Sequence, residues 1–321
     1  MPEVICLRPL EDFANAGVVP PRALSIRAMA PESRELAEAM RSAEALVMPA
    51  VGPALATELF AGSAIRLVQV TGAGVDRVDG AGLARLGIAV AGVPGSSALA
   101  VAEYVVATAV ALLRFLPGST AAIRAGDYEN VRDRMIRCGL SQLAGLTVGV
   151  VGYGIIGQAT ARQCAALGAN VILCDPAIDR EDGVELGELL ATADIVTLHV
   201  PLQDGTRGMI GAAEIGLMKP DAILVNAARG GIVDEAALAE ALEAGQIGGA
   251  VVDVYSREPP APENPLLNVN AAGARRLILT PHIAGVTRQA WASLFAEAWD
   301  NVSRVLLQGE PARNVTNGAA G

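Results

Sequence analysis

The sequence predicts an α/β protein built from two doubly wound, parallel-sheet domains. Three observations support this fold class. Short runs rich in Val, Ile and Leu alternate with helical patterns along most of the chain, which is typical of βαβ units. The chain has 321 residues, a length that suits about two domains. Apolar residues make up 52% of it and charged residues only 18%, which provides ample apolar surface for two cores and excludes a disordered chain.

The first third of the chain predicts a small α/β unit. Helical patterns cover residues 32–42 and residues 81–86, and the second of these ends at Gly87 as a C-cap. Strands are predicted at residues 3–7, 45–48, 65–70 and 88–91.

Residues 98–116 form a nearly continuous apolar segment that is almost long enough to cross a membrane. Glu103 lies inside this segment and Arg114 lies near its end, which argues against a membrane span. A long helix buried between domains or subunits is the favoured interpretation.

A second strand series follows a polar, Arg-rich stretch at residues 124–142. It predicts a complete doubly wound sheet with strands at 146–151, 171–174, 195–198, 222–225, 250–253 and 277–279. The last helical pattern, at about 287–307, carries an apolar stripe that we interpret as core: Trp291, Leu294, Phe295, Ala298 and Trp299. If this helix packs back on the first unit, the domains are 1–97 plus 287–321, and 98–286.

The strongest local signal is a glycine motif between a strand and a helix. Residues 146–151 are followed at once by Gly152-Tyr153-Gly154-Ile155-Ile156-Gly157 and a helical pattern. In this context Gly152 permits a tight turn, Gly154 lets the backbone approach a pyrophosphate, and Gly157 allows close packing of helix on strand. The free N–H groups of the helix start then favour phosphate, so the motif predicts a dinucleotide site.

Asp175 indicates which dinucleotide is bound. It ends the next strand, 18 residues after Gly157, where a carboxylate can accept hydrogen bonds from ribose hydroxyls. The same carboxylate would repel a 2′-phosphate, and Pro176 follows it rather than an arginine. NAD is therefore favoured over NADP.

The chain has two histidines, His199 and His282, and each follows a predicted strand. Position alone does not show which of them carries a proton in catalysis. Arg229 and Glu258 also follow strands. A 2-oxo acid needs a planar cation for its carboxylate and a proton donor for its carbonyl oxygen, and Arg229 and His282 supply these chemistries. A carboxylate such as Glu258 on the far imidazole nitrogen would fix the tautomer and favour the protonated ring.

Composition excludes other functions. The net charge of −10 argues against nucleic acid as the main partner, and 3% aromatic residues disfavour a stacking platform for single strands. Four cysteines show no C-x-x-C spacing, so we expect reduced, buried thiols and no metal site. The first residues lack the pattern of a signal peptide, so a cytoplasmic location without a membrane partner is expected.

Four longer motifs carry a specific resemblance: residues 152–157 (GYGIIG), 226–234 (NAARGGIVD), 253–259 (DVYSREP) and 281–285 (PHIAG). Shorter matches lie at 71–76, 94–97, 101–103, 199–201, 206–208 and 314–315. In this order and at similar spacing, over almost the full chain, they resemble the D-2-hydroxyacid dehydrogenase family. The resemblance implies two Rossmann-like domains, with the nucleotide domain inserted into a discontinuous, flavodoxin-like substrate domain. It also implies an active site in the cleft and a homodimer built around the nucleotide domain.

The resemblance assigns roles by motif position. Arg229 would bind and polarise the substrate, His282 would be the acid/base, and Glu258 would pair with His282. The N–H groups of the loop at Gly72, Ala73 and Gly74 would hold the substrate carboxylate.

The resemblance also places cofactor-binding residues. His199 matches a position near the cofactor rather than the catalytic base, and Asp253 matches an acidic residue near the nicotinamide carboxamide. The full predicted set is Gly152, Tyr153, Gly154, Ile155, Ile156, Gly157, Asp175, His199, Pro201, Thr206, Ala227, Arg229, Asp253, His282 and Gly285.

Some positions depart from the common family pattern and leave the substrate undefined. Arg77 stands where Asn is frequent, Tyr128 where Trp is frequent, and Arg288 and Trp291 where small or acidic residues are common. Arg8, Arg77 and Arg288 are candidates to receive a second acidic group of the substrate. The alternative is that they are surface arginines of an Arg-biased protein.

The family hypothesis leaves several activities open. The expected reaction interconverts a small 2-hydroxy acid, of the D series, and its 2-oxo acid, with glyoxylate or hydroxypyruvate, phosphoglycerate and lactate types as candidates. Formate and phosphite dehydrogenases share the scaffold. A binding module that senses NAD(H), like corepressors of this fold, is the alternative from another class.

Overall fold

The structure is a computed structural model that describes residues 1–178 and 183–318, so the last three residues of the predicted substrate domain, 319–321, lie outside the described residues. The strands of the described part are β1 (Glu3–Cys6), β2 (Ser25–Ala28), β3 (Ala45–Pro49), β4 (Leu67–Thr71), β5 (Ala89–Ala91), β6 (Thr147–Val151), β7 (Asn170–Cys174), β8 (Ile195–Leu198), β9 (Ile223–Asn226), β10 (Gly249–Val252) and β11 (Leu277–Leu279).

The α-helices of the same residues are α1 (Leu10–Asn15), α2 (Leu36–Ala39), α3 (Gly80–Arg85), α4 (Ala98–Leu113), α5 (Leu116–Arg124), α6 (Tyr128–Cys138), α7 (Ile155–Ala166), α8 (Leu186–Thr192), α9 (Ala212–Leu217), α10 (Glu235–Ala244), α11 (Ala271–Ala274) and α12 (Arg288–Ser303). Short 3-10 helices lie at Thr57–Phe60 and Pro265–Leu267, and a π turn at Arg304–Gln308 extends α12.

The chain divides into two compact units. Unit 1 comprises Met1–Ser97 and Val286–Gly321, and unit 2 comprises Ala98–Gly285. Each unit contains one parallel sheet with helices between its strands, so the predicted fold class is confirmed.

Unit 1 has the strand order β2-β1-β3-β4-β5, which is the flavodoxin-like order. Helix α12 packs its apolar face on this sheet, where Phe13 lies 4.6 Å from Phe295 and 5.4 Å from Trp299 between ring centroids. The predicted apolar stripe of α12 is therefore core, as expected.

Short elements of unit 1 differ from the prediction. The helix predicted at 32–42 is reduced to α2, and the sequence pattern did not indicate α1 or β2. β2 is an edge strand with no fully buried residue, and α1 buries only Phe13. Elements that bury so little carry no hydrophobic period to detect.

Unit 2 has the strand order β11-β10-β9-β8-β6-β7. All its strands are parallel, so their carboxyl ends meet at one edge of the sheet. The order reverses between β6 and β8, and ligands of open α/β sheets bind at such a switch point. This edge receives the loops after β6, β8, β9, β10 and β11, which contain most of the predicted site residues.

The apolar segment 98–116 is not one helix. α4 ends at Leu113, Phe115 adopts a left-handed backbone with φ of 51°, and α5 begins at Leu116 with Pro117 in its first turn. α4 packs against α7 and buries Val101, Val105 and other residues in unit 2. Among the described residues, no single helix has the length and apolar character of a membrane span, and α4 and α5 meet these criteria only as a pair bent by 55°.

The polar stretch before β6 contains α6, which the sequence did not indicate. Cys138 ends this helix and is exposed, so the prediction of a buried thiol is wrong at this position. The reason is that α6 buries only Val131 of its residues. Cys6 and Cys164 are buried and Cys174 is half-buried, and each of these thiols is free.

Candidate active site

The glycine motif forms the turn between β6 and α7. Gly152 has a φ of 91°, and a Cβ at this position would lie 2.6 Å from the carbonyl oxygen of His199. A Cβ on Gly157 would overlap the carbonyl oxygen of Gly152, whereas a Cβ on Gly154 would meet nothing within 4 Å. The three glycines thus provide a tight turn, close helix packing and open space for an approaching ligand.

The start of α7 has the chemistry of an anion site. α7 begins after Gly154, and no side chain caps its first N–H groups. The first turn of a helix has unsatisfied donors and the positive end of the helix dipole, which together favour phosphate. These features fit the pyrophosphate of NAD.

Asp175 is held beside this turn. Its Oδ2 accepts a hydrogen bond of 2.6 Å from the N–H of Tyr153, and its Oδ1 accepts one of 2.8 Å from the N–H of Ala177. The half-buried carboxylate is therefore fixed next to the glycine motif. Its position fits a ribose diol and opposes a 2′-phosphate.

His282 and Glu258 form a hydrogen-bonded pair at the edge of the sheet. Nδ1 of His282 lies 2.8 Å from Oε2 of Glu258, and Oε1 of Glu258 accepts a hydrogen bond of 3.0 Å from the N–H of Tyr255. Burial by itself would raise the pKa of Glu258, but the hydrogen bonds from His282 and Tyr255, with the charges of His282 and Arg229, lower this pKa overall. An ionised Glu258 can only accept, so Nδ1 of His282 carries the proton and Nε2 is left for a ligand.

Arg229 follows β9 and is half-buried. Its Nη1 donates to the carbonyl oxygen of Ala228 at 2.7 Å, and its positive charge acts on Glu258. Gly230 packs against the backbone of Tyr255, where a Cβ would overlap the carbonyl oxygen. This contact brings the loops that carry Arg229 and Glu258 together, so unit 2 groups the predicted catalytic residues.

Asp253 is fully buried at the end of β10. Its Oδ1 accepts a hydrogen bond from the N–H of Ile283, and its Oδ2 accepts one from the N–H of Ala284, both at 2.8 Å. The carboxylate is thus directed at the segment that carries His282. The cofactor contact assigned to Asp253 stays a prediction.

His199 lies at the end of β8, beside the glycine motif. Its N–H donates to the carbonyl oxygen of Val151 at 2.7 Å, and its ring Nε2 lies 3.0 Å from Oγ1 of Thr197. Burial lowers the pKa of His199 to about 4. A ring that stays neutral at neutral pH is a poor proton carrier, which supports the choice of His282 as acid/base.

The other predicted cofactor positions lie on the same edge of unit 2. Thr206 ties its loop together by donating from Oγ1 to the carbonyl oxygen of Pro201 at 2.6 Å, and Ile155 presents an exposed side chain at the start of α7. The remaining positions of the set are Tyr153, Ile156, Ala227 and Gly285. Their contacts with a cofactor stay predictions.

The predicted carboxylate loop lies in unit 1, directly after β4. Gly72 and Ala50 are in close contact, since a Cβ on Gly72 would lie 2.6 Å from that of Ala50, and Ala73 is exposed with Gly74 beside it. A loop of this kind, with glycines on both sides of an exposed residue, is compatible with anion binding. The binding role stays a prediction.

The three candidate arginines differ in their surroundings. Arg77 is buried, and its guanidinium donates to the carbonyl oxygens of residues 49, 51 and 53, so it holds that segment in place. Arg8 donates to Asp12 at 2.7 Å and to Thr71 at 3.1 Å, and it lies over the ring of Trp291. Arg288 is exposed at the start of α12.

Sequence reasoning missed residues that hold the site together. Glu235 accepts hydrogen bonds of 2.6 Å from the N–H of Ser256 and from the side chain of Asn264, and so anchors the loop of Glu258. Thr280 and Tyr104 form a second set of contacts near His282. No local motif signals these roles, because the partners are distant in sequence.

Comparison with known proteins places the chain in a family. Residues 106–284 match the family described as D-isomer specific 2-hydroxyacid dehydrogenase, NAD binding domain. The chain is 36% identical over 88% of its length to a D-3-phosphoglycerate dehydrogenase of Archaeoglobus fulgidus, and the match covers 53% of that protein. It is 37% identical over 86% of its length to a glycerate dehydrogenase of Methylorubrum extorquens, with 87% of that protein covered.

The fold is shared with solved structures as well. The crystal structure of D-lactate dehydrogenase from Aquifex aeolicus, complexed with NAD and lactic acid, superposes with a TM-score of 0.83 at 26% identity, covering 98% of this chain and 99% of that one. The chain spans about half the length of the phosphoglycerate dehydrogenases it matches. The description of the matched domain confirms NAD as the predicted cofactor. The chain belongs to the D-isomer specific 2-hydroxyacid dehydrogenase family.

Proposed function

We propose that the protein is an NAD-dependent oxidoreductase that interconverts a small 2-hydroxy acid of the D series and its 2-oxo acid. The observation that carries this proposal is the 2.8 Å contact between His282 and Glu258, formed beside Arg229 in the unit whose glycine motif fits NAD. A proton donor, a carboxylate that orients it and a cation for an oxyanion are the groups that carbonyl reduction needs.

In this mechanism His282 delivers a proton from Nε2 to the carbonyl oxygen of the 2-oxo acid during reduction. Glu258 holds Nδ1 and stabilises the protonated ring, and it remains ionised itself. Arg229 binds the substrate and stabilises the negative charge that develops on its oxygen. NAD, when bound, supplies or accepts the hydride. In the oxidation direction Nε2 of His282 takes the hydroxyl proton.

Unit 1 would supply the remaining contact with the substrate. We assign the loop of Gly72, Ala73 and Gly74 to the substrate carboxylate, because successive backbone N–H groups in a turn can form an anion-binding nest. Residues 1–97 plus 287–321 would then be the substrate domain and 98–286 the NAD domain.

The test is turnover by the variant His282→Ala. NADH consumption is measured with a panel of glyoxylate, hydroxypyruvate, its phosphate ester and pyruvate, which also identifies the substrate. We expect turnover to fall roughly a thousandfold with NADH binding retained, since a positioned acid contributes about 10²–10⁴ in rate. Unchanged turnover would refute the role of His282. Tight NADH binding by the wild-type protein without turnover of any acid would instead indicate an NAD(H) sensor.

We also propose a homodimer in the cytoplasm, with α5 and α6 at the dimer interface. These helices expose large apolar side chains: Ile123 is 49% exposed and Ile136 is 63% exposed. A groove of about 540 Å³ lies between α5 and α6, and Val131 and Met135 are among the residues that line it. Contiguous exposed apolar surface of this kind is typical of protein interfaces.

A further inference from the structure

The backbone of His282 is in a conformation that needs support. Its φ is 57°, in the left-handed region that residues with a Cβ avoid. Such conformations persist at functional sites only where the surrounding structure fixes them. The contacts around residues 280–284 show what fixes it here.

Asp253 binds three consecutive N–H groups of this segment. Its carbonyl oxygen accepts from the N–H of His282 at 2.8 Å, and its two carboxylate oxygens accept from Ile283 and Ala284. Consecutive N–H groups that converge on an anion form a nest, a geometry that a left-handed residue helps to create. The buried carboxylate of Asp253 therefore stabilises the conformation of His282.

Thr280 holds this carboxylate from the other side. Its Oγ1 donates to Oδ1 of Asp253 at 2.5 Å, which uses its one hydroxyl proton. The hydroxyl of Tyr104 lies 2.5 Å from Oγ1 of Thr280 and must therefore be the donor in that contact. Tyr255 donates its hydroxyl to the carbonyl oxygen of Thr280 at 3.1 Å.

Tyr104 remains a donor over the whole working range of pH. Burial raises the pKa of Tyr104 to about 12, so its hydroxyl keeps the proton. The direction of the chain of hydrogen bonds is then fixed from Tyr104 to Thr280 and on to Asp253. A chain of hydrogen bonds with a single direction orders its members more strongly than separate contacts.

We propose that Tyr104 and Thr280 are positioning residues for catalysis, which act through Asp253 to hold the backbone of His282 and the direction of its Nε2. This inference rests on the proposed function for its kinetic consequence. Its structural consequence, the orientation of the His282 ring, does not depend on any activity.

The kinetic test compares Thr280→Val, Thr280→Ser and Tyr104→Phe with the matched control Thr108→Val. Thr108 lies one turn from Tyr104 on α4 and donates to the carbonyl oxygen of Tyr104 at 2.7 Å, outside the chain of side-chain hydroxyls. We expect Thr280→Val to lower kcat about 10- to 100-fold, which is the loss of rate that a small displacement of a catalytic group can cause. KM and the Kd for NADH should stay nearly unchanged. Thr280→Ser should restore most of kcat, Tyr104→Phe should show a smaller loss, and Thr108→Val should show none.

A spectroscopic test separates this inference from the proposed function. The chain has only two histidines, so the Cε1–H signal of His282 can be assigned by its absence in His282→Gln. We expect Thr280→Val and Tyr104→Phe to shift this signal, while Thr280→Ser and Thr108→Val leave it in place. An unshifted His282 signal in folded Thr280→Val and Tyr104→Phe, or an equal loss of kcat in Thr108→Val, would overturn the positioning role. Lack of turnover in the wild-type protein with the expected shifts would refute only the proposed function.

Discussion

At the scale of single residues, several side chains share the task of presenting one proton donor. His282 presents Nε2 to a ligand, and Glu258 lies 2.8 Å from its Nδ1. Asp253, directly after β10, accepts a hydrogen bond from the backbone N–H of His282. Asp253 has no exposed surface, whereas the side chain of His282 is 30% exposed. The proton donor is therefore accessible to a ligand, whereas the carboxylate that holds its backbone is shielded from solvent.

The lowered pKa of Glu258 should make the free energy of unfolding depend on pH. Glu258 has an ordinary pKa of 4.5 and a lower one in the fold, so its ionised form stabilises the folded state above about pH 4.5, and this contribution is lost as the pH falls below that value. We expect the free energy of unfolding of Glu258→Gln to be lower than that of the wild type at neutral pH, with the difference shrinking in acid. Denaturant unfolding at several pH values measures this. A difference that grows below pH 4.5 would contradict the assignment.

At the scale of elements, buried strands could be predicted and thinly buried elements could not. The sequence placed the strands of unit 2 to within about a residue, because runs such as Ile195–Leu198 are buried on both faces and contrast with their polar flanks. It missed α6, which buries only Val131, and it joined α4 to α5 because a left-handed Phe115 has no sequence signal. Arg229 and His282 could be proposed from the sequence because they follow strands and lie in family motifs, whereas the link from Tyr104 to Thr280 exists only once α4 is packed.

The contact between two loops at Gly230 gives a prediction at this scale. A methyl group on Gly230 would overlap the carbonyl oxygen of Tyr255, so Gly230→Ala must separate the loops of Arg229 and Glu258. We expect a loss of about 1–3 kcal/mol in the free energy of unfolding and a fall in turnover, as for other overpacked sites. Calorimetry and NADH consumption measure the two effects.

Gly187→Ala is the matched control, because its added Cβ would meet only a side-chain carbon of Leu217, at 3.8 Å. Its stability should stay within about 1 kcal/mol of the wild type. Equal stability and turnover of Gly230→Ala and Gly187→Ala would show that the loop contact is not needed.

At the scale of the whole molecule, charge and apolar surface have separate consequences. The net charge of −10 opposes anionic ligands over long distances, so local groups must overcome it: Arg229 and the N–H groups at the start of α7. The apolar excess fills two sheet cores, and part of it is left exposed on α5 and α6. An acidic chain with such an apolar face avoids non-specific association and still offers a surface for a specific partner, for which we have proposed a second copy of the chain.

The dimer proposal predicts that one charge on this face separates the subunits. Wild-type protein should sediment at about twice the chain mass of 32.8 kDa, and Ile136→Glu should sediment near the monomer at low micromolar concentration. The reason is that a carboxylate buried in an apolar interface loses its hydration without gaining a partner. Leu217→Glu is the control, since Leu217 is 50% exposed on α9, away from α5 and α6 in sequence, and this variant should remain a dimer. A monomeric wild type would refute the dimer. A dimeric Ile136→Glu would show that the interface lies elsewhere.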